Sequence, residues 1–555
     1  MISTRNLGTC GLVAGALCTM LISVALGGET KIIFTDMSKD AGVTLPDTLT
    51  ESLAWGDYDN DGDEDLYLTS NGPNNLFRND GNGIFTDVTD EAGVGNDLFS
   101  VGSAFGDLDN DGDLDLYVVN FMTGLDALYR NDGPVGPGGA YVFTDIAKDA
   151  GITLDRSSRG IVFLDYNQDS LLDIYVNAIG EDILYRNDGN LQFTDVAADQ
   201  GFSNPGQGVG AVITDLDNNG WIDIFTGNRS GDLNRLYMND GGVFTDVTES
   251  AGINRVGLGM GVHAFDYNND LKIDLYWTVW PDDDGPQANA LYENIDGTTF
   301  VDVGVASGTD DPDGWGISNN AGDIDNDGWE DFFVTNGFDE TTSPNVLFHN
   351  QGDGTFTDIT DAIGGAAWDG RGFAFADYDN DGDIDLLLTA DVEAFTRMWR
   401  NDTITTNHWI TLKLVGTQSN RSAIGARIEV TTDIQTVVKE VSGGAGRGSF
   451  NSLPVEFGLG AAEEITEIAI RWPNQLMQTV SFPAMDQILT IIEPCEGDAN
   501  GDGTVDPLDA GFVLARFGCP VGTGDASCDA ADQNGDGAVD PLDSGFVLAR
   551  FGSCL

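Results

Sequence analysis

Histidine is almost missing from this chain, with three in 555 residues. His263, His349 and His408 are far apart, and no H-E-x-x-H or G-x-S-x-G element accompanies them, so histidine-based metal hydrolases and serine hydrolases have no support. Basic side chains are also few: 24 Lys and Arg stand against 92 Asp and Glu, a formal net charge of -68. Phosphate backbones and anionic lipid repel such a chain, which excludes nonspecific nucleic-acid binding and argues against docking on anionic lipid, and cations are drawn to it. Disorder is excluded in turn, because 41% of the residues are hydrophobic. Cysteine is confined to the ends: Cys10 and Cys18, then Cys495, Cys519, Cys528 and Cys554.

Residues 1–28 carry one charge, Arg5, before an apolar run from Leu7 to Leu26 that ends in small residues, the pattern of a cleaved export signal. A retained anchor is the rival, since the run approaches the ~20 residues that span a bilayer. Removal of the signal leaves four clustered cysteines, which in an exported protein read as two disulfides. Zinc is the other reading, but no histidine lies among them and the spacings are not those of a zinc site.

The length exceeds one compact core, and 73 glycines with an Asp surplus predict many short strands joined by tight turns. Three marks recur in fixed order. A carboxylate loop starts at Asp57, Asp107, Asp165, Asp215, Asp266, Asp323 and Asp377, at intervals of 50 to 58 residues, which suits one four-stranded propeller blade. An aromatic strand follows: LFRN from Leu76, LYRN from Leu128 and Leu184, LYMN from Leu236, LYEN from Leu291, LFHN from Leu347 and MWRN from Met398. The third mark, FTD or a variant, stands at Phe34, Phe85, Phe143, Phe193, Phe244, Phe300 and Phe356. It begins before the first loop and is missing after the last MWRN. The pattern therefore predicts a seven-bladed ring closed by the strand at Phe34, which completes the last blade and leaves no open edge.

The first loop reads D-x-D-x-D-G-x-x-D, with Asp57, Asp59, Asp61, Asp63 and Asp65 around Gly62. Carboxylates at positions 1, 3, 5 and 9, a backbone carbonyl at 7 and a glycine for the sharp turn at 6 make an all-oxygen site, which favours calcium over zinc, copper or magnesium. Full sets recur at Asp107, Asp109, Asp111, Asp113 and Asp115; at Asp323, Asp325, Asp327 and Asp331; and at Asp377, Asp379, Asp381 and Asp385. Three loops depart from the pattern: Asp165, Asn167, Asp169 and Asp173, with Ser170 at the glycine position; Asp215, Asp217, Asn219 and Asp223; and Asp266, Asn268, Asp270 and Asp274, with Leu271 for glycine. These are expected to be the weaker sites. An Asp-rich hairpin turn held by side-chain to backbone hydrogen bonds is the bland alternative. Seven copies, each crowding like charges, argue against it.

Residues 30–402 resemble FG-GAP or VCBS repeats, the calcium-bearing blades of integrin α-chain propellers and many bacterial surface proteins. That resemblance implies a fold and several Ca2+ ions, and it leaves the ligand open. After Asn401, the segments HWITLKLVG, ARIEVTT, TVVKEVSG, VEFGLG and EIAIRWP read as short strands. With SNRSAIGARIEV, the glycine run Gly443–Gly448 and IRWPN, they resemble an ASPIC/UnbV domain, which follows similar propellers in the cartilage acidic protein family. Arg427, Arg447 and Arg471 are available there for an acidic ligand, although pairing with the chain's own carboxylates is the commoner use of such groups.

DANGDGTVDPLD at 498–509 returns as DQNGDGAVDPLD at 532–543, each followed by GFVLARFG. Asp498, Asn500, Asp502, Asp506 and Asp509 take positions 1, 3, 5, 9 and 12 of an EF-hand-like loop, and Asp532, Asn534, Asp536, Asp540 and Asp543 repeat them. The pair resembles a type I dockerin, the module that plugs proteins into cohesin receptors, although its middle is short and glycine-rich. Antiparallel packing of the halves, which the resemblance implies, would join Cys519 to Cys528 and Cys495 to Cys554; the alternative joins Cys495 to Cys519 and Cys528 to Cys554.

The expected protein is mainly β. It has a signal peptide at 1–28, a seven-bladed propeller at 29–404, a small β-sandwich-like domain at 405–494 and a small helical calcium-binding module at 495–555. The expected function is an exported or cell-surface calcium-binding scaffold for extracellular protein or polysaccharide, with a possible cohesin-like receptor for the tail, no nucleic-acid partner and no membrane span in the mature chain. A polysaccharide lyase or hydrolase on the same scaffold is the alternative. No catalytic residue is nominated, since nearly every obvious carboxylate pair already sits in a metal loop.

Overall fold

The computed structural model describes residues 30–495 apart from 46–47, 82, 123, 154–156, 203–205, 230, 232, 282–286, 338–342, 366–368 and 391–395, and beyond them 507–516 with scattered positions from 530 to 547. The export segment lies outside the described residues. So do Asp498, Asn500, Asp502, Asp506, Asp532, Asn534, Asp536 and Asp540. No helix among the described residues is long and apolar enough to cross a membrane.

Seven four-stranded antiparallel sheets lie between Phe34 and Asn401. Blade 1 comprises Thr50–Gly56, Asp65–Ser70, Asn75–Asn79 and Phe85–Asp87, and blades 2 to 6 repeat that order. Blade 7 joins Gly370–Ala376, Asp385–Ala390 and Arg397–Asn401 to Phe34–Asp36, with Phe34 opposite Asn401 and Asp36 opposite Trp399. Each innermost strand touches that of the next blade, and Thr50–Gly56 touches Gly370–Ala376, so the row of sheets closes on itself. The mainly β propeller expected from the repeat is the fold observed.

The three marks explain the closure. The first strand of blade 1, TESLAWG, is buried along its whole length because blades lie against both of its faces. The asparagine ending each aromatic strand is buried and donates through Nδ2 to the second residue of the preceding blade's carboxylate loop. Asn131 reaches the Tyr58 carbonyl at 2.9 Å, Asn401 reaches Ile324 at 2.8 Å, and Asn79 reaches Tyr378 at 2.8 Å across the join.

Residues 407–493 form a three-stranded sheet ordered Val455–Gly460, His408–Val415, Ile488–Ile492 and a four-stranded sheet ordered Thr436–Glu440, Arg427–Thr432, Ile465–Arg471, Met477–Ser481. They cover the face of the ring that bears the carboxylate loops. Lys413 donates to Gly62 O at 3.2 Å, the Arg421 N–H to Asn110 at 2.8 Å, Arg427 to Leu271 O at 2.7 Å, Gln475 to Gly220 O at 2.7 Å and the Gly460 N–H to Asn326 O at 2.8 Å. Ser170 bonds to the Gln418 carbonyl, and Trp409 packs on Gly382.

From this cover the glycine run enters the centre of the ring. Phe163 N–H donates to Gly443 O at 2.8 Å, Ser103 N–H to Gly448 O at 3.2 Å and Trp55 N–H to Phe450 O at 3.1 Å, while Gly446 N–H donates to Val262 O at 2.7 Å. Asn451 bonds to Asn320 and accepts from the Phe375 N–H at 3.0 Å. A side chain on Gly443 would lie 1.9 Å from Phe163 O, and Gly446 has φ 63 with its carbonyl against Gly210, so the plug fits only where Cβ is absent.

Beyond this domain, Pro507–Leu514 is a helix, and Cys495, Ala510, Val513, Ala531, Val539 and Val547 form a small core drawn from both halves of the duplication. Cys495 is disulfide-bonded, and its partner lies outside the described residues.

Candidate metal centres

Each loop is a hairpin between the first two strands of a blade, and its carboxylates divide the work by position. The first carboxylate ties the turn: Asp57 accepts from the N–H groups of Asp61 and Gly62, both at 3.0 Å, and Asp377 does the same from Asp381 and Gly382 at 3.0 and 2.9 Å. The ninth pins three strands together. Asp65 accepts from Tyr58 N–H at 3.1 Å and Asn79 N–H at 2.8 Å, and Asp115, Asp173, Asp223, Asp274, Asp331 and Asp385 repeat the pair of bonds. The fourth residue adopts φ between 52 and 60 in every loop, which suits the asparagine that six of the seven carry there.

The third position separates the loops into two groups. In the four full loops Asp59, Asp109, Asp325 and Asp379 each keep a buried Oδ1 with no hydrogen-bond partner among the described residues. In the other three, the chain supplies its own compensation. Asn167 donates to Asp169 at 2.9 Å, Asn219 donates to Asp217 at 3.3 Å, Lys272 pairs with Asp270, and Arg471 reaches from the second domain to Asp215. Ser170 and Leu271, which replace the turn glycine, are held at φ 73 and 67, a left-handed conformation that costs a side chain about 1–2 kcal/mol.

Ligand atoms of Asp57, Asp59 and Asp61 lie within 4.8 Å of one another, as do those of Asp107, Asp109 and Asp111, of Asp323, Asp325 and Asp327, and of Asp215, Asp217 and Asp223. Asp63 and Asp113 turn away from these clusters and accept from Asn380 and Asn60 of the adjoining loops, each at 2.8 Å. Their side chains link blades. Burial, with crowding second to it, raises carboxyl pKa values. Burial, then Asp61 and Asp57, pushes Asp59 up to about 6; burial, then Asp381, does the same for Asp379. Burial pushes Asp107, Asp165, Asp266 and Asp377 up to about 7. Buried carboxylates that repel one another around unpartnered oxygens fit a divalent cation, whose charge would reverse both effects.

The histidines occupy three unrelated settings. His263 is buried against Phe265, and burial followed by Lys439 drops its pKa to about 3. His408 pairs with exposed Asp486 at 2.8 Å. His349 stands 3.5 Å from Asp325 in the blade 6 loop, a placement that sequence reasoning missed. The three arginines of the second domain meet carboxylates of this chain: Arg427 faces Glu429 and Glu440, Arg447 faces Glu51, and Arg471 faces Asp215.

A closed ring of four-stranded blades with acidic hairpins, capped and plugged by a small β domain, defines an acidic-loop propeller. Residues 57–118, 165–226, 215–277 and 323–388 match the FG-GAP-like repeat, residues 416–497 match ASPIC and UnbV, and residues 496–551 match the dockerin type I domain. Among curated proteins, the chain is similar to Cartilage acidic protein 1 of Mus musculus, 28% identical over 289 residues, and of Homo sapiens, 27% identical over 302 residues. These alignments take in 49% and 52% of this chain, and 43% and 44% of the relatives, so the chain spans less than half the length of either. Solved structures with partial similarity include an Agrocybe aegerita lectin described as recognising non-reducing terminal N-acetylglucosamine (18% identity, 60% of this chain, 80% of that one, TM-score 0.33). A Bacillus licheniformis rhamnogalacturonan lyase is another (14% identity, 67% of this chain, 76% of that one, TM-score 0.36). Overlaps this small bear on neither activity nor ligand. Dockerin type I domains bind calcium as a class and typically engage cohesins.

Proposed function

We propose that this chain is an exported, calcium-dependent binding scaffold: a propeller over 29–404, a cap over 405–494 that plugs it, and a dockerin-like tail over 495–555 for a protein receptor. The observation that carries the reading is the orphaned Oδ1 of Asp59, Asp109, Asp325 and Asp379, since a buried carboxylate oxygen without a partner is costly unless a cation meets it. The metal ligands are the carboxylates and amides of positions 1, 3, 5 and 9 in each ring loop, with Asp498, Asn500, Asp502, Asp506 and Asp509 and their duplicates Asp532, Asn534, Asp536, Asp540 and Asp543 in the tail. The metal serves the fold rather than a reaction in this reading, because each ligand set ties the hairpin of one blade and so braces the rim on which a partner would dock. The partner class is extracellular protein or polysaccharide, with a cohesin-like receptor for the tail.

The test is a binding screen of the full-length protein on glycan and extracellular-protein panels, in calcium and in chelator, with polysaccharide turnover followed in parallel. Saturable calcium-dependent binding without turnover supports the scaffold. Turnover of a polysaccharide would overturn it in favour of a lyase or hydrolase.

A further inference from the structure

The aromatic strand of blade 6 carries a histidine at its third residue. Four blades carry arginine there, and each arginine pairs with the aspartate two residues on: Arg78 with Asp80 at 2.8 Å, Arg130 with Asp132 at 2.5 Å, Arg186 with Asp188 at 2.6 Å and Arg400 with Asp402 at 2.9 Å. Met238 and Glu293 replace it in blades 4 and 5. In blade 6 the residue is His349, followed two positions later by Gln351 rather than an acid.

His349 comes together with Asp325 and Asp331, their ligand atoms all within 4.8 Å of one another. Among the described residues its Nε2 is buried without a hydrogen-bond partner, 3.5 Å from Asp325 Oδ2, and Asp325 Oδ1 has none either. Asp325 is 3% exposed, so water is poorly placed to satisfy its free oxygen, while Asp331, 1% exposed, is fixed beside it by the Ile324 and Asn350 N–H groups. A separation of 3.5 Å is long for a hydrogen bond but suits two ligands of one ion, since metal bonds of 2.0–2.2 Å at a tetrahedral angle hold their donors roughly 3.4 Å apart. On the far side of the ring, Gln351 Nε2 lies 2.8 Å from His349 Nδ1 and donates to the His349 carbonyl at 3.2 Å, so Nδ1 accepts there. The proton then sits on Nε2, facing Asp325, and is the one a metal ion would displace.

We propose that the blade 6 loop holds a zinc-class divalent ion through His349 Nε2, Asp325 and Asp331, which makes it chemically distinct from the all-oxygen loops around it. Imidazole nitrogen selects borderline transition ions over calcium, whereas the other six loops offer hard oxygen donors alone. Asp325 belongs to this set and to the oxygen set with Asp323 and Asp327, so the two ions compete for one place. The inference rests on reading the loop as a metal site and is independent of calcium in the others.

The test uses full-length protein purified without a histidine tag, stripped with chelator and dialysed against Co2+ or Zn2+ in millimolar calcium. Retained metals are counted by elemental analysis, and cobalt coordination is read from its visible absorption. The wild type is expected to keep one transition-metal equivalent with a nitrogen-ligated cobalt spectrum. His349→Arg, the residue four other blades carry, is expected to lose that equivalent while retaining its calcium, and His408→Asn to lose nothing. His349→Gln replaces the arginine variant if the latter melts early. No retained transition ion in the wild type, or equal amounts in wild type and both His349 variants, overturns the proposal. Calcium counted in the same samples separates this outcome from failure of the calcium reading: a protein holding zinc and no calcium would sink the calcium scaffold alone.

Discussion

Arg447, carried on the glycine run of the second domain, donates to Glu51 on the innermost strand of blade 1 at 2.8 Å, with both side chains buried in the middle of the ring. Arg159 and Arg229 lie near enough that burial, then Arg447, lowers their pKa values, Arg159 to about 9. Glu51 therefore offsets a local concentration of positive charge in a chain that is otherwise short of it. Removing one partner of a buried pair strands the other, which typically costs about 3–5 kcal/mol. Arg447→Ala should lower the unfolding free energy measured by denaturant titration by the lower part of that range, since the charge of Arg159 still acts on Glu51, and Glu51→Gln with Arg447→Met should recover part of the loss. An unchanged midpoint in the single variant would show that this pair does not hold the plug.

The loop carboxylates make a pH prediction with a defined sign. Without metal, burial raises Asp59 and Asp379 to about 6 and Asp107, Asp165, Asp266 and Asp377 to about 7, above the ordinary value of 3.8. A folded state that binds more protons than the unfolded one gains stability as pH falls through that window and loses it as pH rises through about 6–7. The chelated protein should therefore melt higher at pH 5 than at pH 7.5. Calcium needs the ionised form, so the gap in Tm between calcium and chelator should be several degrees at pH 7.5 and should narrow at pH 5. Melts with a gap that is constant across this range would contradict the assignment.

Blade 7 depends on residues from the other end of the chain. Phe34–Asp36 pairs with Trp399, Arg400 and Asn401, Asp402 N–H donates to Ile33 O at 2.8 Å, and Arg397 pairs with Asp36 at 2.9 Å. Ile32 and Phe34 pack on the core around Trp399 and Ile363. Deleting residues 29–40 should expose Arg397–Asn401 as an open edge, lower Tm and promote association of molecules through it. Size-exclusion chromatography with thermal melts checks this, and a deletion that stays monodisperse with an unchanged Tm would show that the ring does not need the strand.

What could be read before the structure was what each repeat states locally. Asp57 to Asp65, LYRN and FTD lie within one blade, and their order alone placed Phe34 against the last blade. The plug could not be read this way. Gly443 to Gly448 carries no hydrophobic period, and its partners Ser52, Ser103, Val262 and Ser318 sit on four strands that are remote in sequence. The cover over the loop face was hidden for the same reason, since Arg471 and Asp215 are separated by 256 residues. The bonds of Asp63 and Asp113 to Asn380 and Asn60 of adjoining loops were hidden too, because spacing records carboxylates and not their direction. The signal that could have marked His349 was present, because it alone breaks the arginine column with an imidazole.

The ranking of the loops gives the last prediction. Asp61 belongs to a full loop in which Asp59 retains an orphaned oxygen, and Gly62 takes its φ of 99 without penalty. Asp169 belongs to a loop in which Asn167 already donates to it, Leu171 N–H binds its other oxygen at 3.0 Å, and Ser170 is held in the left-handed region. A cation entering the first loop relieves an unsatisfied carboxylate, whereas one entering the third must displace a hydrogen bond that is already made. Asp61→Ala should therefore remove one strongly held calcium from the titration and lower Tm in calcium, with little change in chelator. Asp169→Ala should shift only the weak end of the titration. Calorimetric titration of both variants beside the wild type decides the matter, and equal losses of tightly bound calcium would show that the third loop is as good a site as the first.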